Sequence, residues 1–151
     1  MTVLAASTPI TMTEINDFTV EWFRALDVHT PAEDLTRFLA VNEFELVVPE
    51  GTFKKLAGFK EWYERALHLF FDEVHTLRKV QLLSADDEGV TVKVVVNWQA
   101  STWNAPEPRS KRIIMDAYQT WVLKRSEETD KLQIATYTVD NVEYGEGSAR
   151  L

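Results

Sequence analysis

The residues able to do chemistry are few, and they stand in two apolar strands. In Asp72-Glu73-Val74-His75 a histidine opens a strand in a strongly apolar setting. An imidazole there is a candidate general acid/base, because its ordinary pKa lies near working pH. Its structural alternative is a histidine hydrogen-bonded in place at a helix–strand corner, with Asp72 capping or solvated. Asp116 stands in Ile113-Ile114-Met115-Asp116-Ala117-Tyr118, and a carboxylate in such a run needs a partner or a shifted pKa. Strict alternation sets Asp116 on the face opposite Ile113, Met115, Ala117, Trp121 and Leu123, where it would serve a dimer contact; a β-bulge would turn it inward. The catalytic candidates are therefore His75, Asp72 and Asp116.

Aromatic residues supply the surroundings. The chain has 5 Trp, 4 Tyr and 8 Phe, enough to line a pocket for a flat or hydrophobic molecule. Trp22, Leu26, Trp62, Tyr63, Trp98, Trp121 and Tyr137 are the candidate ligand-binding residues, with ordinary core packing as the alternative for each. Other chemistries lack their residues. Without cysteine there is no disulfide framework, thiolate metal site or cysteine nucleophile. His29, His68 and His75 lack metal-ligand spacing, so no metal is expected, and His29 and His68 read as surface or packing residues. Phosphate-binding glycine loops, a GxSxG elbow and nucleotide fingerprints are missing too, so no cofactor is expected.

The elements that must position these groups follow from periodicity. Thr11 and Glu14 have capping-box spacing, and Ile15, Phe18, Trp22 and Leu26 then form a helical stripe, which predicts a helix over 13–27. Thr30-Pro31-Ala32-Glu33 opens a second, short helix reaching about Leu39. Phe44–Val48 is a strand ended by Pro49-Glu50-Gly51, and a third helix, expected to be largely buried, starts near Gly58. The period then changes to 2: strands are expected at Val74–Leu83, Val90–Trp103, Lys111–Lys124 and Leu132–Asn141. Val90, Val92, Val94, Val96, Trp98 and Ala100 share one face of the second of these, the pattern of an antiparallel sheet with one side buried. The fold class is thus α+β, a curved antiparallel or mixed sheet with three helices from the first half of the chain on its concave face.

With 151 residues the chain is one domain: a flexible segment over 1–12, the domain over 13–143 and a flexible tail over 144–151. Its 45% hydrophobic residues are enough for a core without metal or disulfide. The net charge of −8 argues against nucleic acid or an anionic membrane as partner. Most of it lies in residues 1–75, with 6 basic and 13 acidic side chains, and reads as a solvated helical half. The first residues carry no basic charge and no long apolar run, so a cytoplasmic protein is expected.

In order and spacing these elements resemble the nuclear transport factor 2-like superfamily, in its SnoaL-like, polyketide-cyclase-like branch. The resemblance runs from about Thr13 to Asn141. It is carried by Trp22-Phe23 and Leu26-Asp27 in the first helix, the Phe44–Gly51 strand and turn, Gly58-Phe59-Lys60-Glu61-Trp62-Tyr63, His75, and the closing strands. It implies a cone-shaped α+β barrel with an apolar pocket, usually as a homodimer joined through the sheet. Val95, Trp103, Ile114, Tyr118 and Val122 would supply that contact. It also implies isomerase, cyclase, dehydratase or hydrolase chemistry, with His75 as acid/base. Asp72 would orient it as an aspartate does in the dehydratases, or Asp116 would share the proton, and Tyr63 or Tyr137 would donate a hydrogen bond. The family's isomerase pattern fails, since its base would fall near Val48 and its helix tyrosine is replaced by the Trp22-Phe23 region. Two functions stay open: an enzyme acting on a small hydrophobic or aromatic molecule without a cofactor, and a non-catalytic ligand-binding or dimeric assembly module.

Overall fold

The computed structural model describes residues 9–151, and the first eight residues of the expected flexible segment lie outside the described residues. Helix α1 spans Met12–Asp27. Thr11 and Glu14 close the capping box, satisfying N–H groups that a first helical turn leaves open. Glu14 also accepts two bonds from Arg125 at the end of the sheet (2.6 and 2.9 Å), which hold its carboxyl below the ordinary range. Ile15, Phe18, Trp22, Phe23 and Leu26 are buried, and each contributes about 1.5–3 kcal/mol by leaving water.

The second helix is shorter than its capping signal suggests. Helix α2 covers Ala32–Leu35 and tightens at once into a 3₁₀ turn at Thr36–Phe38. Strand β1 (Glu45–Val48) is followed by β2 (Gly51–Lys54), a hairpin partner that the sequence reading assigned to a turn. Helix α3 then runs Lys55–Leu69, so Gly58 lies inside it and does not open it. Only Phe59 and Tyr63 of α3 are buried, because the rest of its apolar face looks into an open cavity.

Four long strands complete the chain: β3 (Phe71–Asp86), β4 (Gly89–Thr102), β5 (Lys111–Arg125) and β6 (Leu132–Tyr144). The sheet order is β2-β1-β6-β5-β4-β3, antiparallel throughout except for the parallel β1–β6 pair. It is a mixed sheet that curves without closing into a barrel. Val92, Val94, Val96, Ala117, Trp121 and Leu123 form its inner face and share one core with the apolar stripe of α1. The bulges of the β5–β6 pair fall on β6, which has an extra residue at Asp140 and at Ala135, so alternation along β5 runs unbroken. After β6, Gly145 and Ala149 donate to carbonyls of β5 at Ile114 and Arg112, and the Arg150 guanidinium lies 4.4 Å from the Tyr144 ring centre. No helix of the described residues is long and apolar enough to cross a membrane.

Gly58 lets α3 approach β2: a Cβ there would stand 2.7 Å from the backbone carbon of Phe53. Alanine is favoured over glycine by about 1 kcal/mol in a helix, but forcing an atom into a packed contact costs roughly 1–3 kcal/mol. Gly58→Ala is therefore expected to lower stability, with the urea midpoint falling at unchanged slope. A rise in the midpoint would show that the helix does not press on β2.

Candidate functional site

The end of α1 and the start of β3 meet at one corner. Asp27 is the last residue of α1, and its carboxylate grips His75 of β3 twice over. Oδ1 accepts from the ring Nδ1 at 2.6 Å, and Oδ1 and Oδ2 share the His75 backbone N–H at 3.0 and 3.1 Å. Phe23, one turn earlier on the same face of α1, stacks on the imidazole at 4.9 Å and 18°. The ring is thus fixed in tilt by Phe23 and in rotation by Asp27. Donation from Nδ1 to a carboxylate assigns a proton to that nitrogen, and in the neutral ring Nε2 then carries the lone pair.

His75 lines a cavity of about 710 Å³ between α3 and the inner face of the sheet. Of the residues expected there, Leu26, Trp62, Tyr63, Trp98 and Tyr137 are in its wall. Trp22 and Trp121 are not. Both are fully buried one layer behind Tyr137, with ring centres 6.1 and 5.0 Å from it, and Trp121 donates to Gln119 at 2.9 Å. Burial and the charge of Glu73 push the Tyr63 phenol up to about 12, and burial raises that of Tyr137 further. Both phenols therefore remain O–H donors at any physiological pH. That of Tyr63 is spent on the carbonyl of Thr30, at 2.7 Å. Val48 stands in the cavity wall, and an alkyl group there takes no proton.

Asp72 does not reach His75. Glu73 lines the cavity with His75, whereas Asp72 and Val74 border only an open depression on the other side of the corner, where β3 is bulged between Phe71 and Val74. Asp116 likewise stays on the outer face, because no bulge interrupts β5; it pairs with Asn97 across the strands and accepts from its amide at 2.9 Å. Three residues that sequence reasoning did not name as candidates stand at this corner: Asp27, Glu73 and His29. Glu73 Oε1 accepts from Trp98 Nε1 at 3.0 Å, and Oε2 pairs with Nε2 of His29. The signals were present. Asp27 follows Phe23 by four residues at the end of the apolar stripe, and Glu73 precedes His75 by two in the strand. Among the described residues no group of three His, Cys, Asp or Glu side chains could hold a metal ion.

A raised tyrosine pKa is a stability statement. The folded state prefers the neutral Tyr63 phenol, so its contribution is complete below about pH 10 and is lost as pH climbs toward about 12. Tyr63→Phe removes the titrating group. The variant is expected to lose less melting temperature than the parent between those two pH values, a comparison that thermal scans in matched buffers make directly. Equal alkaline losses would place Tyr63 in contact with solvent.

No protein-family model and no curated protein matches the sequence. Solved structures do match its shape. A candidate aromatic ring hydroxylase from Novosphingobium aromaticivorans DSM superposes with a TM-score of 0.74 at 11% identity, over 88% of this chain and 92% of the other. The β subunit of the benzoate 1,2-dioxygenase from Burkholderia mallei ATCC 23344 gives 0.67 at 13% identity, over 87% and 91%. The hexachlorocyclohexane dehydrochlorinase LinA-type3 from Novosphingobium barchaimii LL02 gives 0.65 at 13% identity, over 92% of each chain. Element order, the open curved sheet and the helices over its inner face agree with these structures, and the chain has the nuclear transport factor 2-like fold.

Proposed function

We propose that the chain binds a small hydrophobic organic molecule in the cavity and that His75 removes a proton from it. The observation that carries this reading is the Asp27–His75 pair at the wall of an apolar cavity. Asp27 holds the Nδ1 proton and stabilises the imidazolium that forms when Nε2 takes a second one. Low dielectric strengthens that pairing, and the aromatic walls (Trp62, Trp98, Tyr137) hold a flat substrate against the base. Proton abstraction from carbon begins isomerisations and eliminations alike, and the dehydrochlorinase that shares this fold is named for an elimination. Asp27 fills the orienting role expected of Asp72. The non-catalytic reading keeps the cavity and gives His75 no proton to move.

Deuterium exchange into 2-tetralone, a bicyclic ketone with an acidic C–H, separates the two. In D₂O the protein is expected to speed exchange above the buffer rate. His75→Ala should remove a factor of roughly 10²–10⁴, and Asp27→Asn a large part of it. Exchange at the buffer rate by the parent would leave a binding module only, and full exchange by His75→Ala would take the proton transfer away from His75. We further propose that the outer sheet face, where Val95, Ile114, Tyr118 and Val122 are half-buried and Trp103 is 51% exposed, joins two copies of the chain. A dimer mass at micromolar concentration is expected in solution, and a monomer mass would overturn the pairing.

A further inference from the structure

A second histidine–carboxylate pair shares the site with the first. Glu73 is built into it: its side chain is 10% exposed, with one oxygen on Trp98 Nε1 and the other on His29 Nε2. A carboxylate offers about four acceptor positions, so two bonds leave capacity on the cavity side. Glu73 also borders a second space, an open depression of about 550 Å³ on the far side of the corner. Asp27, His29, Asp72 and Arg112 line that depression as well, and Arg112 is tied to the Asp72 carbonyl (2.7 Å) and to Ser101 (3.0 Å). On the cavity side Tyr63 feels the charge of Glu73, and His75 shares the wall with it. His29 is 32% exposed and so meets water. Among the described residues Glu73 is thus the one acidic side chain common to both spaces, with His29 on its solvent side.

The backbone reinforces the corner. His29 and Asp72 hold φ values of 53° and 50°, a left-handed conformation that costs a non-glycine residue on the order of 1 kcal/mol. Thr30 N–H bonds the Ala25 carbonyl (3.1 Å), and Tyr63 bonds Thr30, which together keep the His29 turn in place.

We propose that Glu73 and His29 are the second proton-transfer pair of this cavity, donating to an oxygen of the substrate while His75 takes a proton from its carbon. This rests on the base chemistry proposed for His75 and names the substrate class: a small cyclic molecule with a carbonyl or hydroxyl oxygen next to the carbon that loses its proton. For a ketone, Nε2 of His75 takes the C–H proton, the C–H electron pair becomes the C=C bond of the enol, and the carbonyl π pair takes a proton from Glu73, which has first received it from the protonated ring of His29 along the bond between them. The neutral His29 ring then regains a proton from water in the depression. A hydroxyl leaving group would depart as water by the same donation, whereas a halide needs no such acid.

His29→Gln separates a relay from a clip, because an amide still donates to Glu73 but passes no proton on. Glu73→Gln likewise keeps an acceptor for Trp98. Both variants are expected to melt like the parent and to slow 2-tetralone exchange by about tenfold or more. The pH profile of the rate is expected to change in both variants. Parent rates and an unchanged pH profile in both variants would overturn the pair's role while leaving His75 as the base. No exchange by the parent would overturn both readings together.

Discussion

One carboxylate holds the site together. Asp27 ends α1 and at the same time accepts from the backbone and the ring of His75, so a helix terminus, a strand start and an imidazole are fixed by a single group. A charge-assisted hydrogen bond is roughly twice as strong as a neutral one. Here its strength serves geometry more than stability. The helix is anchored at its other end by the capping box and Arg125, and its apolar stripe is packed on the sheet. With both ends tied, the tilt of α1 sets where Phe23 and Asp27 arrive, and they in turn set the plane and tautomer of His75. The ring is oriented before any substrate enters.

The same corner explains the arrangement of charge. Four titratable side chains, Asp27, His29, Glu73 and His75, come from two short stretches of chain and pair as two histidines with two carboxylates. None of them needs a distant counter-charge. The apolar walls can therefore approach closely without leaving a buried charge unpaired, which would cost several kcal/mol.

Much of this was legible in the sequence, and the gaps have physical causes. The stripe Ile15, Phe18, Trp22, Leu26 located α1, and the alternation from Val90 to Ala100 located β4 with its inner face. β2 escaped because a four-residue strand behind Pro49-Glu50 has too few positions to show a period. The burial of α3 was overestimated because an apolar face looks the same in sequence whether it meets side chains or an empty cavity. In the site, His75 was visible from its apolar setting, but its partner was sought nearby along the chain. The partner is 48 residues away, joined by tertiary contact alone. Glu73 was passed over for Asp72, although the two-residue period of a strand selects Glu73.

The unbroken alternation of β5 has a consequence for change. Both of its neighbours pair with it residue by residue, and the irregularities of the sheet are carried by β3 and β6. One residue inserted or deleted in β5 would exchange the two sides of everything beyond it. Met115, Ala117 and Gln119 would leave the cavity wall, and Asp116 and Tyr118 would enter it. Single substitutions at 115, 117 and 119 instead alter the cavity's shape one position at a time, without touching the outer surface. Strand β5 is thus a ruler along which the inside can be rewritten in steps of two.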